Sequence, residues 1–161
     1  RTNGDDDAFK TPLFFLFKKY RELMNGNRMN VKVDGNSILS SQIIPSIEGD
    51  CKEIKLTDQQ ISYIDAAATL TVHGSLNVAL INRSANHTQK VSVNVPAGFI
   101  LKEKWEMSAK DINEYNSLAE RDNIIPKVTT LKKYLHKKVK VEMTPCSVAI
   151  LSFSPELEND K

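Results

Sequence analysis

Several residue types are scarce in this sequence. Over 161 residues there are 2 cysteines, 6 glycines, 6 prolines, 3 histidines and 1 tryptophan. Cys51 and Cys146 stand far apart, without the close spacing of a metal-ligating pair. They either pair or remain two buried free thiols, the commoner state. His73, His87 and His136 are scattered over turn segments with no Asp, Glu or Cys at ligand spacing, which argues against a metal centre or a nucleophile triad. Ser84 and Ser147 lack the context of a nucleophile elbow. The formal net charge is only +2, so composition gives no pull toward nucleic acid or a membrane surface. No apolar run reaches the length of a membrane span, and no repeat recurs at solenoid periods. No cofactor is expected. What remains is an ordinary globular composition, 40% hydrophobic and 26% charged, long enough for one domain with a substantial core.

The chain opens Arg1-Thr2-Asn3-Gly4-Asp5-Asp6-Asp7, with no initiator Met, basic n-region or apolar h-region. A fragment of a longer protein is expected, its compartment illegible beyond a slight lean to an extracellular or periplasmic one. Residues 1–10 read as a flexible acidic lead. Thr11-Pro12 is a helix entry, Thr as N-cap and Pro at the first helical position. Leu13, Leu16, Phe17, Tyr20, Leu23 and Met24 then form one broad apolar stripe, and Asn25-Gly26 reads as the C-cap. Phe14 and Phe15 widen the apolar arc beyond what one small sheet covers. Such a helix either packed against something absent from this chain or covers the open edge of its own sheet.

From residue 27 to 155 the pattern is strand and loop. Met29, Val31 and Val33 alternate into an Asp34-Gly35 turn signal. Ser75–Ser84 is apolar on nearly both faces, the mark of a strand in the middle of a covered sheet. It is preceded by Tyr63–Val72, which predicts a hairpin through His73-Gly74. It is followed by the alternating run Lys90–Pro96, which predicts a second hairpin across Asn82–His87. Phe99–Met107 puts Leu101, Trp105 and Met107 on one predicted face. Lys110–Thr130 is a long polar excursion. Lys138–Met143 alternates again, Ser147–Phe153 closes the sheet, and residues 156–161 read as a disordered tail. One helix and about eight antiparallel strands make a mainly β protein, an antiparallel sandwich of jelly-roll or Greek-key kind.

Four motifs in order resemble a known family. Leu80-Ile81-Asn82-Arg83 is similar to a strand ending in Val-Asn-Arg. Asp111-Ile112 with Asn116-Ser117 is similar to an Asp-Leu-x-x-x-Asn-Ser/Thr loop. Ile125-Pro126 follows as in Val-x-Pro, and Pro145-Cys146-Ser147-Val148-Ala149-Ile150-Leu151 matches a closing Pro-x-Ser-Val-x-x-Leu strand. The chain thus resembles the C-terminal region of the retaining α-L-arabinofuranosidases of glycoside hydrolase family 51. Thr11–Tyr20 is similar to the helix that closes the family's catalytic barrel. The resemblance implies an accessory sandwich, residues 27–155, plus the last barrel helix, residues 11–26. The parent would release arabinofuranosyl groups from arabinan or arabinoxylan with two glutamates, which belong to barrel strands upstream and align with no residue here.

Partners implied are the barrel of the same parent chain, a second copy of the chain and a plant polysaccharide. Phe14, Phe15 and Phe17 are candidates for the barrel interface. Trp105, Tyr115 and Tyr134 are candidate sugar-stacking aromatics, although a core or interface role for Trp105 is favoured by its apolar neighbours. Asn113-Glu114 mimics a catalytic Asn-Glu pair but lies in a sandwich loop, where a solvated carboxylate is the simpler reading. Lys132, Lys133, His136, Lys137, Lys138 and Lys140 form the one basic cluster. Lysines on an outward strand face commonly deter edge-to-edge pairing, a better account than nucleic acid. Asn82-Arg83-Ser84 and Asn86-His87-Thr88 are formal N-glycosylation acceptors.

Overall fold

The computed structural model describes residues 8–40, 43–45, 53–55, 59–134 and 138–156. The helix entry forms as its sequence dictates. Thr11 is extended and its Oγ1 accepts the Phe14 N–H at 3.3 Å, opening α1 (Pro12–Leu23). The helix ends at Met24, whose N–H donates to the Tyr20 carbonyl at 2.8 Å. Gly26 is not the expected left-handed cap, a conformation held by Gly74 (φ 80) and Gly98 (φ 86). A Cβ on Gly26 would lie 2.4 Å from the Leu70 carbonyl oxygen, so glycine is needed there for close passage. Among the described residues no helix is long and apolar enough to cross a membrane.

The strands are β1 (Asn27–Met29), β2 (Ser37–Ser40), β3 (Ile43–Pro45), β4 (Glu53–Lys55), β5 (Gln59–Ser62), β6 (Ile64–Leu70), β7 (Leu76–Asn82), β8 (Gln89–Asn94), β9 (Phe99–Ser108), β10 (Lys127–Tyr134), β11 (Lys138–Met143) and β12 (Ser147–Pro155). A six-stranded sheet runs in the order β1-β6-β7-β12-β9-β10, and a two-stranded sheet pairs β11 with β8. Two further ladders join β2 to β5 and β3 to β4. Every pairing is antiparallel. Val141 and Met143 of β11, with half-buried Val91, Val93 and Val139, pack onto Leu76, Val78, Leu80, Ala149, Leu151 and Phe153 of the larger sheet. This is a sandwich, with the main core between its two layers.

The β6–β7 hairpin forms as expected, Leu70 opposite Leu76. The second expected hairpin does not. The edges of β7 are taken by β6 and β12, and β8 pairs with β11 instead. The reason lies in the two patterns: β7 is buried on both faces, whereas β8 alternates half-buried with exposed. A strand with one wet face belongs to an outer layer, so the chain crosses from one sheet to the other after Asn82. That crossing is pinned by buried Asn82. Its Nδ2 donates toward the carbonyls of His87 (3.0 Å), Met143 (3.1 Å) and Thr144 (2.9 Å), and its Oδ1 accepts the Ser84 N–H at 3.0 Å. Likewise β12, expected to close the sheet, lies centrally between β7 and β9. Of the run Met29–Val33 only Met29 enters a ladder, and Val31 and Val33 are exposed.

The expected lead is held at its end, because Asn116 Nδ2 donates to the Lys10 carbonyl at 2.9 Å. Residues 1–7 and the expected tail from residue 157 lie outside the described residues.

Candidate domain interface on the helix side

The face of the six-stranded sheet turned away from β8 and β11 carries a second, smaller core. Ala79, Trp105 and Ile150 are buried there, flanked by Met107 and Val148, and α1 presses Phe15, Leu16, Tyr20, Leu23 and Met24 onto them. Trp105 is 3% exposed. This corrects its candidacy as a sugar platform, since its ring is enclosed by the protein's own helix. It also separates Trp105 from Leu101, which the alternation places on the same face. In the ladder with β12, Ser152 faces Glu103 while Phe153 faces Leu101, so Lys102 is an extra residue, a β-bulge. Leu101 therefore joins the core between the sheets and Trp105 the one under the helix.

Polar ties fix the helix at two points. Near its end, Thr69 Oγ1 and Asn77 Nδ2 both donate to the Leu23 carbonyl, one of the last-turn acceptors that a helix leaves unpaired. Mid-helix, Lys19 Nζ lies 3.1 Å from a Glu103 carboxylate oxygen. Burial under the helix, with the nearby Asp65 carboxylate adding to it, raises the Tyr20 hydroxyl above its ordinary pKa. Asp65 is itself paired with Arg83, the arginine that follows the Asn82 clamp.

The outer side of α1 is uncovered. Phe14 is 47% and Phe17 69% exposed, with Leu13 exposed beside them. Of the three candidate interface phenylalanines, Phe14 and Phe17 therefore face outward. Phe15 faces inward onto the Trp105 cluster, a correction, its ring edge-on to Phe14 with centroids 5.7 Å apart. Lys10 Nζ sits 5.9 Å from the Phe14 ring centroid, a cation–π approach.

The loop between β9 and β10 borders the start of the helix. Asn116 organises it: Nδ2 donates to the carbonyls of Lys10 and Ile124, each at 2.9 Å, and Oδ1 accepts the Ile124 N–H at 2.7 Å. The composition of this loop marked it as polar, and nothing in composition singles out this asparagine as its buried hub. Tyr115 is 69% exposed, with Ile112 and Ile125 also exposed. Val128, exposed on β10, stands opposite Trp105 on β9.

The other candidates fall apart from this surface or from one another. Glu114 Oε2 accepts the Lys110 N–H at 2.7 Å, so its carboxylate closes its own turn. The His87 ring lies edge-on to Tyr63, centroids 6.3 Å apart, while His73 is exposed in the turn between β6 and β7. Among the described residues no three of His, Cys, Asp and Glu gather as a metal site would require. Cys146, at φ 51, ends the turn that leads into β12; Cys51 lies outside the described residues. Tyr134 ends β10 opposite Leu101, its side chain outside the described set, as are those of Lys132, Lys133, His136 and Lys137. Lys138 and Lys140 are on the exposed positions of β11.

The architecture has close counterparts among solved structures. An α-L-arabinofuranosidase from Thermotoga maritima, in its arabinose complex, superposes with a TM-score of 0.73 over 91% of this chain and 30% of its own, at 16% identity. The GH51 enzyme from Thermotoga petrophila RKU-1 gives 0.70 over 91% and 30%, at 15% identity. A family 51 enzyme from Bifidobacterium longum gives 0.70 over 91% and 26%, at 14% identity. The chain has the fold of one part of these enzymes. It spans less than a third of their length. No family model and no curated protein matches the sequence.

Proposed function

We propose that this chain is the C-terminal β-sandwich of an α-L-arabinofuranosidase-like glycoside hydrolase, and that Leu13, Phe14 and Phe17 seat it on that enzyme's catalytic barrel. One observation carries the reading. The helix is apolar on its inner side, which Trp105 covers, and its first two turns leave Leu13, Phe14 and Phe17 bare ahead of exposed Lys18, Arg21 and Glu22. Contiguous exposed apolar surface on a folded protein marks a contact site, and the superposed enzymes extend well beyond the part this chain matches. The motif asparagines fit a bracing role. Asn82 pins the crossing between layers and Asn116 pins the loop to the start of the helix, so both serve rigidity.

The chemistry would belong to the barrel. Retaining hydrolysis needs a nucleophilic carboxylate and an acid/base carboxyl about 5 Å apart, one on each side of the glycosidic bond. The sandwich would hold the barrel's closing helix in place and keep its apolar flank dry.

Purified alone, the chain is expected to release no aryl group from an aryl α-L-arabinofuranoside. Turnover that survives repurification and disappears in Glu114→Gln would overturn the reading. The paired substitution Phe14→Asp and Phe17→Asp should leave the isolated sandwich folded by circular dichroism, suppress its binding of an apolar dye, and destabilise a full-length parent enzyme. Unchanged dye binding and an unaffected parent would dismiss the interface. Exposed Tyr115 supports a second reading as a carbohydrate-binding module; affinity for arabinan or arabinoxylan that vanishes in Tyr115→Ala would favour it over the brace.

A further inference from the structure

The two adjacent glycosylation signals, whose acceptors lie four residues apart, sit on the crossing between β7 and β8, and the fold treats them in opposite ways. In Asn82-Arg83-Ser84 the acceptor amide is 2% exposed. Its Nδ2 faces the carbonyls of His87, Met143 and Thr144, all within 3.1 Å. A sugar on that nitrogen would replace one of its two protons and need room where there is only packed backbone, leaving buried carbonyls unpaired. The third residue of this signal, Ser84, is also buried, its Oγ accepting the N–H groups of Asn86 at 3.3 Å and His87 at 2.9 Å.

Asn86-His87-Thr88 differs at each point. Asn86, His87 and Thr88 are all exposed. The Asn86 backbone is held by Ser84 Oγ while its side-chain amide has no hydrogen bond to a described residue. The Thr88 hydroxyl is likewise unengaged. The residue between the two, His87, is held in place, because its carbonyl accepts from Asn82 and its ring lies against Tyr63. The signal is thus displayed on a braced turn at the rim of the sandwich, where a large polar group meets solvent.

We propose that Asn86 is an N-glycan acceptor of this chain in a eukaryotic secretory pathway, and that Asn82 is barred from that role in the folded protein. In the step, the Asn86 amide nitrogen forms a bond to C1 of an oligosaccharide carried on a lipid pyrophosphate. The bond from C1 to the pyrophosphate oxygen breaks, the lipid pyrophosphate departs with the electron pair, and the amide gives up one proton to the transferase.

The test is expression of this chain behind a cleavable secretion signal in a eukaryotic host. Peptide mapping after enzymatic deglycosylation in heavy-oxygen water follows, on the secreted fraction and the retained cellular fraction. The expected result is heavy-oxygen aspartate at position 86 and none at 82 in the secreted fraction, with the mobility shift abolished equally by Asn86→Gln and Thr88→Ala. Glycan at Asn82 in secreted, folded chain overturns the proposal, and so does an absence of glycan at Asn86 in both fractions. If the chain is retained, the retained fraction still reports on Asn86. Its limited proteolysis then decides the second half: a protease-resistant species glycosylated at Asn82 would overturn it, and confinement of any such glycan to protease-sensitive chain would uphold it.

Discussion

The two faces of the six-stranded sheet are both apolar, yet they are covered in different ways. Between the sheets, Leu151 and Phe153 of β12 pack with Leu80, Leu101 and Met143, side chains supplied by strands that hydrogen bonding already holds in register. Under the helix, one indole fills the centre, and no residue of α1 is fully buried. A sheet face covered by strands of the same sandwich is sealed by the fold itself. A face covered by one helix is sealed only as firmly as that helix is held. Here the holding falls to Trp105, two donors on the Leu23 carbonyl and the Lys19–Glu103 pair. The comparison teaches that α1 is a separate layer, apolar toward the sheet and, over its first two turns, apolar away from it.

Removing a side chain from each face separates the two. Phe153→Ala, in the sealed core, should lower stability by about 4 kcal/mol, with every region losing amide-exchange protection together. Trp105→Ala should cost about 3 kcal/mol, with the amides of α1 exchanging first while β7 and β12 stay protected. Global loss in both variants would break the comparison, because the helix would then be part of one cooperative core.

A smaller effect is expected at high pH. The Tyr20 hydroxyl is raised in the fold by burial and by Asp65, so the folded state holds its proton after the unfolded chain has lost it. Stability contributed by the neutral form is complete below the ordinary tyrosine pKa of about 10 and is lost as pH climbs through the folded value. Tyr20→Phe should flatten that alkaline decline in a denaturation series. An identical decline in the variant would mean that Tyr20 is not the group sensed.

Much of the fold was legible because local chemistry decides it. Thr11-Pro12 opens the helix through a cap that any helix would use, and the two-faced apolar run of β7 has no place but the middle of a sheet. The β6–β7 hairpin follows from a short turn between matched runs. Pairing beyond that was hidden, because alternation tells which side of a strand is wet and not which strand lies beside it. Hence β8 was expected next to β7 and is found next to β11. The candidate interface was legible in part. Eight apolar residues within Leu13–Met24 exceed one face, but sequence cannot say which side the sheet will take. Phe15 turned inward and Phe14 and Phe17 outward because the Trp105 cluster receives the Phe15 side. Tyr115 stays exposed as its polar loop suggested, while Trp105 was claimed by the helix.

The extra residue at Lys102 has a consequence for anyone who rewrites this chain. Before it, position parity along β9 assigns Leu101 to the space between the sheets; after it, the same parity assigns Trp105 to the space beneath the helix. A single strand is thus written in two reading frames. Deleting Lys102 would act as a frameshift in three dimensions: either Leu101 would turn toward α1, or every side chain from Glu103 onward would change sides. An alignment that closes this one-residue gap would make the same error on paper, matching residues that share a column but face opposite ways.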